Sequence, residues 1–419
     1  MIPLTLDEVA ELCPGRLDRA PWADEVTGVQ IDSRRIEEGD LFVEVGGGGD
    51  FARHAFARGA AATLAPDDAF AALGALGGEI RGRSSARVVA ITGSTGKTST
   101  KDILAAMCRL HAQTVAAEGG HNNEIGLPLT LTRIEPDTEV VVCEMGMRGL
   151  GQIAELCAIA RPDVGVITSI GPVHLELLET IENVARAKAE VVGSLPAGGT
   201  AIVPDDPLLE PYLGRDDLEI QRFSERNVTS FERTEDGSRV RFALEAEQLE
   251  LEFPFQARHQ AQNAVAALLA VQALGLPLPS GRVDVELSRW RGEESPVPGG
   301  GLLINDSYNA NPTSMRAALE NLAEHEGRKV AILGEMAELG PTSPEYHREI
   351  GELVSDLGID VVLGVGELAK AYGGEWVENA AKAAERAAEL IQPGDVVLVK
   401  GSRAVGLEVV AEALTGAPA

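Results

Sequence analysis

Residues 87–110 read RVVAITGSTGKTSTKDILAAMCRL: a short β-branched run, a glycine-containing turn, then Ile103, Leu104, Met107 and Leu110 at helical spacing. The pattern predicts a strand, a loop and an amphipathic helix. Gly93 and Gly96 let the loop's backbone N–H groups, those of Ser94 and Thr95 included, turn inward, and the helix start adds positive dipole. Lys97 can reach terminal phosphates and Thr98 can ligate Mg²⁺, which is the chemistry of a phosphate-binding loop. Ile91 stands where the usual GxxxxGK[ST] spacing has its first glycine. The string alone is therefore suggestive, and the strand before it and the helix after it carry the assignment.

Similar units follow. Residues 139–143, 164–167 and 200–203 are short apolar runs ahead of turns, and their alternation with helical patterns argues for a parallel sheet covered on both faces. Upstream, residues 1–84 alternate short apolar runs with turns, including a strand candidate at 40–45 and a flexible glycine run at 46–49. A cluster of Gly, Ser and Arg at 78–85 lacks periodicity and reads as a boundary. Downstream, residues 220–255 alternate as an antiparallel meander, an alanine-rich helix spans 260–274, and the Pro/Gly-rich stretch 294–301 reads as a second linker. Four strands separated by helical patterns then follow at 302–305, 329–333, 361–365 and 396–399. The expectation is an α/β chain of three domains. Residues 1–84 form a small α/β domain, 85–297 a central P-loop ATPase-type parallel sheet with an antiparallel addition, and 298–419 a Rossmann-like α/β domain.

Lys and Arg number 36 against 65 Asp and Glu, a formal net charge of -29 that repels nucleic acid and anionic membranes. An anionic ligand must therefore meet a local positive site. Cys13, Cys108, Cys143 and Cys157 form no CxxC pair and no zinc spacing, and read as reduced core residues of a cytoplasmic protein. The first residues are acidic where a signal peptide needs basic ones, and no apolar run approaches membrane-spanning length, so neither secretion nor membrane insertion is expected. Glu144, His174 and Lys188 stand beyond strand ends or on the following helix, where an open parallel sheet collects ligands. Glu144 there suits a hard cation. Taken singly, each has an ordinary alternative: a solvated charge, a capping or core histidine, a surface lysine.

Together these residues carry a resemblance that runs through nearly the whole chain. It comprises DSRRIEEGDLFV (32–43), TGSTGKT (92–98), NNEIGLP (122–128), EMGMRGLGQI (144–153), IGPVHLE (170–176), AKAE (187–190), DSYNANP (306–312), LGEMAELG (333–340) and KGSR (400–403). On these motifs the chain resembles the Mur ligases, the ATP-dependent amide-forming enzymes of peptidoglycan synthesis, in which the shortened glycine loop is usual. DSYNANP, GEMAELG and KGSR point to the branch that joins D-alanyl-D-alanine to UDP-N-acetylmuramoyl-tripeptide through an acyl phosphate.

The resemblance implies roles for individual residues. Asp32, Ser33 and Arg34 match the motif that holds the UDP end. Residues 93–98 match the ATP phosphate loop, Lys97 acting on the phosphates. Two Mg²⁺ ions would be held by Thr98, Glu144, His174 and a carbamylated Lys188. Asn263 matches a residue near adenine and Asp306 one near ribose. Asn309, Lys400, Ser402 and Arg403 match substrate contacts in the last domain. An arginine before the last domain would touch phosphate, and Arg291 competes with Arg289 for that place. His259 to Asn263 read HQAQN where the family pattern has a second Asn. A monomer is expected. The competing class is a nucleotide-switched binding protein or simple NTPase with a partner-docking last domain. A GTPase of that kind would carry base-reading motifs that do not stand out in the chain.

Overall fold

The computed structural model describes residues 1–46, 49–245, 247–297 and 299–416. Its central sheet is parallel, in the order Glu219–Phe223, Thr200–Pro204, Val164–Ile167, Arg87–Thr92, Val140–Glu144, Thr114–Ala116. The strand that feeds the glycine loop thus lies inside the sheet, with neighbours on both edges. Its side chains alternate between two cores, since successive Cβ atoms of a strand point to opposite faces. Val88 and Ala90 join one cluster, Val89 and Ile91 the other.

The meander is smaller than the periodicity suggests. Its strands are Val228–Thr234, Gly237–Ala243 and Gln248–Phe253, with Gly281–Arg282 added in parallel, whereas Glu219–Phe223 is the parallel edge of the central sheet. The alanine-rich helix is Arg258–Ala273, packed beside the helix Lys97–Arg109 that follows the glycine loop. Small side chains permit that close approach.

The third sheet runs Glu293–Pro296, Leu302–Asp306, Val396–Lys400, Lys329–Gly334, Val361–Val365, Glu375–Val377. The first of these is antiparallel to the second and the others are parallel. Residues 294–301 are therefore not a linker. They include most of an edge strand and its turn, and Pro296 is tolerated because an edge strand leaves one row of amides unpaired. Pro298 of that stretch lies outside the described residues.

The 78–85 cluster is also not a break, because the helix Ala69–Arg83 runs through most of it. Glycine weakens an isolated helix, but here it lets one pack closely. A Cβ on Gly77 would lie 2.9 Å from Pro128 Cα. Arg81 Nε donates to Ala160 O at 2.9 Å and Arg161 Nη2 to Gly78 O at 2.7 Å, so this helix is fastened to the central domain. In the first domain the expected strand 40–45 is Asp40–Val43, and residues 47–48 of the glycine run lie outside the described residues. All four cysteines are buried thiols, with burial pushing Cys108, Cys143 and Cys157 up to about 12. No described helix is long and apolar enough to cross a membrane.

His347 is fully buried, stacked on Tyr372; its Nε2 accepts from Met336 N at 3.0 Å and its Nδ1 donates to Ser343 O at 2.7 Å. Acceptance at Nε2 requires the neutral ring, with its proton on Nδ1. Burial holds His347, and likewise His121, His259 and His325, below the ordinary histidine range. A group with a depressed histidine pKa favours folding above the unfolded value and loses that contribution as pH falls. The histidine contribution to the thermal midpoint should therefore be constant above about pH 7 and be lost from about pH 6.5 downward. His347→Gln should show a shallower drop. An identical slope in the variant removes His347 from the explanation.

Candidate functional site

The glycine loop is strapped to the loop after the neighbouring strand. Ser94 N donates to Ser169 O at 2.9 Å, Thr95 N to Ser169 Oγ at 2.9 Å, and Ser94 Oγ both donates to Gly171 O and accepts from Gly171 N. Gly96 caps the helix with φ 80°, and the side-chain Oδ1 of Asn263 fills the space a Cβ there would need. That places Asn263 against the loop, with its amide nitrogen bonded to Gln260 Oε1 at 2.8 Å. Lys97 is half-buried and donates to Gly93 O at 2.7 Å. Burial lowers its pKa, opposed by the Glu144 carboxylate and assisted by the Arg291 charge.

Glu144 is the last residue of its strand rather than a loop residue, and it is fully buried. One oxygen accepts from Asn122 Nδ2 at 2.8 Å, and the other is buried with no partner among the described residues. An uncompensated buried carboxylate oxygen is costly. Lys188, on the inner face of helix Ile181–Gly193, is 2% exposed, and burial together with the Lys97 charge pushes its pKa well below the usual lysine range. Thr98 is buried at the helix start, its hydroxyl accepting from Arg291 Nη2 at 3.2 Å. Among the described residues no group of three or more His, Cys, Asp and Glu is poised to hold a metal. The oxygen donors that fit a hard cation are thus the orphaned Glu144 carboxylate, Thr98, and Lys188 if it carries a carbamate.

His174 takes a left-handed backbone, φ 53°, at the start of the short helix Leu175–Leu178. Its Nδ1 is paired with Glu338 of the third domain, itself at φ 63°, and Arg148 lies 3.7 Å from the same carboxylate. The His174 bond holds the Glu338 carboxyl below the usual range. Further contacts carry the third domain onto the central one: Arg291 on Thr98, and Asn311 Nδ2 toward Ser94 O at 3.4 Å. Arg291 stacks over Tyr308 at 3.8 Å, and Arg289 is exposed, so Arg291 is the arginine that bridges the domains.

The carboxyl end of the third sheet divides the residues expected there. Lys400 is buried, its Nζ bonded to Asp306 Oδ2 at 2.5 Å and Asn309 O at 3.0 Å, with burial lowering its pKa against the pull of Asp306. Ser402 is buried too, accepting from Ala337 N at 2.7 Å. Both side chains brace the loops at this sheet end. Asn309 is exposed, its side chain folded onto its own loop at Ala310 N. Arg403 is exposed, paired with Glu408 at 3.1 Å and lying over Trp290 at 4.6 Å. In the first domain, Arg34 grips Asp32 with two guanidinium nitrogens and lowers its carboxyl to about 2, while Ser33 is buried against His54 Nδ1 at 2.9 Å. Beside that group, Arg35 pairs with Glu118 of the central domain at 3.1 Å. Residue patterns alone assigned no role to Asn122, Glu338, Tyr308 or Asn311. The only signal for them was their presence inside the quoted motifs.

Residues 91–271 match the Mur ligase middle domain and residues 291–403 the Mur ligase glutamate ligase domain. The chain is 33% identical to the UDP-N-acetylmuramoyl-tripeptide–D-alanyl-D-alanine ligase of Escherichia coli, covering 99% of each, and 31% identical to that of Bacillus subtilis, covering 100% of each. Among solved structures it is similar to MurF from Acinetobacter baumannii, with TM-score 0.86 and 29% identity over 98% of both chains. It is also similar to the ADP complex of MurF from Thermotoga maritima, with TM-score 0.79 and 28% identity over 92% of this chain and 96% of that one. With paired domain matches, full-length relatives and an interdomain phosphate loop in agreement, the chain belongs to the Mur ligase family.

Proposed function

We propose that this chain joins D-alanyl-D-alanine to UDP-N-acetylmuramoyl-tripeptide at the expense of ATP, in the cytoplasm. The observation that carries the reading is the juxtaposition of two sheet ends. The loop 93–98, Glu144 and the buried Lys188 lie at one, and from the other Arg291 reaches Thr98, Asn311 reaches Ser94 O and Tyr308 rests on Gly120. Both ends come from one chain, which supports action as a monomer.

The tripeptide carboxylate attacks the γ-phosphoryl group, ADP leaves, and the dipeptide amine then displaces phosphate from the acyl carbon, losing a proton as the amide forms. Lys97 meets the charge that spreads over the transferring group, and Arg291 holds the third domain against the same loop. Glu144, Thr98, His174 and carbamylated Lys188 would hold two Mg²⁺ ions, which supply further charge neutralisation on the phosphates. Asn263, beside Gly96, suits the adenine side, and Asp306, fixed by Lys400, the ribose side. Asp32, Ser33 and Arg34 are assigned to the UDP end, and Asn309 and Arg403 to the dipeptide.

The assay is phosphate release with each substrate omitted in turn. Turnover should require ATP, the UDP-linked tripeptide and D-alanyl-D-alanine together. Steady hydrolysis of ATP alone would favour the simple NTPase instead. Within the same assay, Arg403→Ala should raise KM for the dipeptide by about tenfold or more, because an arginine fork can take a carboxylate in two parallel bonds. KM for the tripeptide should move little. Equal shifts in both would assign Arg403 a hinge role through Trp290.

A further inference from the structure

One turn beyond Lys97 on the same helix sits Lys101, a lysine 2% exposed that touches neither solvent nor the phosphate loop. Its ammonium donates to Ala117 O at 2.9 Å and Gly119 O at 3.4 Å, and pairs with Asp102 Oδ1 at 2.7 Å. Two of its protons thus meet carbonyls, and its charge meets a carboxylate. A buried lysine is kept only where its protons are so satisfied. The other oxygen of Asp102 accepts from Ser288 N at 2.8 Å, in the segment that leads to Arg291.

These bonds close a ring. The strand Thr114–Ala116 runs into the loop that Lys101 grips, and that loop continues to Asn122, the residue bonded to Glu144. Gly146 N also donates to Asn122 O at 2.7 Å. From the other side, Ser288 leads to Arg291, which touches Thr98 and stacks on Tyr308. The Tyr308 hydroxyl occupies the space a Cβ on Gly120 would need, so the third domain rests on the very loop that Lys101 holds.

We propose that Lys101 and Asp102 form a positioning pair that fixes loop 117–122 and the interdomain segment 288–291 in register with the phosphate loop. Removing the ammonium frees two loop carbonyls, and disturbing Asp102 frees the segment that carries Arg291. The pair thereby sets where Asn122 holds Glu144 and where Arg291 meets Thr98. Only the kinetic part of its test rests on the phosphate-site reading above.

The test uses full-length Lys101→Met, Asp102→Asn and the double variant. Amide hydrogen exchange should quicken by about tenfold or more at 117–122 and 288–291, with helix Ala380–Leu390 unchanged. The Kd for ADP should stay within about threefold, since neither side chain touches loop 93–98, while kcat falls by about tenfold or more. The double variant should lose no more than the worse single one, because the two act as a unit. Unchanged exchange at both segments would overturn the proposal. So would exchange accelerated throughout the protein with activity tracking the folded fraction, which is the signature of a merely structural pair. Failure of the parent protein to bind ADP would instead count against the phosphate-site reading, leaving the exchange result to judge the pair.

Discussion

Replacing Lys97 by alanine is expected to lower kcat for ligation by about a hundredfold or more, because on the function proposed above it removes the cation that meets the transferring phosphoryl group. The side chain's hydrogen bond is to Gly93 O of its own loop, so its loss leaves the loop's ties to Ser169 and Gly171 intact. The thermal midpoint should consequently change by only a few degrees, about what one hydrogen bond to a charged group contributes in a protein of this size. Phosphate release at saturating substrates, alongside a melting curve, separates the two effects. Near-normal turnover in Lys97→Ala would remove the phosphate assignment from loop 93–98.

Lys188→Ala should cost a comparable factor, about a hundredfold, for a different reason. A buried ammonium beside Lys97 is disfavoured by burial and by that charge, whereas a neutral amine there can take up CO₂ and become an oxygen donor. Deleting the side chain removes those oxygens and leaves a space. A short-chain carboxylic acid added to Lys188→Ala should therefore restore part of the lost rate, and should do nothing for Lys97→Ala. Carbon-13 bicarbonate supplies a direct readout, since the parent protein should show a carbamate resonance that the variant lacks. No resonance and no rescue would leave Lys188 as an ordinary buried lysine.

The central sheet and its glycine loop were legible because their signals are local. A β-branched run, a turn and a helical repeat sit within 24 residues, and each strand end near Glu144, Ile167 and Val203 falls within a residue or so of its apolar run. Less legible was the direction a side chain takes once it leaves a strand. KGSR was readable as a strand end, but that Lys400 turns inward to Asp306 while Arg403 turns out to solvent depends on a partner 94 residues away in the chain. The glycines of 69–83 misled for a related reason, since propensity penalises them and only the packed neighbour Pro128 shows what they permit. That Arg291, and not Arg289, touches both Thr98 and Tyr308 was likewise invisible in the sequence.

The fastening of helix Ala69–Arg83 has a consequence for how the protein comes apart. One continuous apolar cluster includes Leu4, Leu41 and Leu73 of the first domain and Val88, Val141 and Val191 of the second. The third sheet keeps clusters of its own, built on residues such as Leu333, Val397 and Val399. Its ties to the rest include ion pairs and hydrogen bonds such as His174 with Glu338 and Arg233 with Glu324, which salt screens and water can replace. In thermodynamic terms the chain is two bodies rather than three. The polar ties of the third sheet can give way before the shared core does, and a ligand seated between the sheets acts as the mortar of that joint.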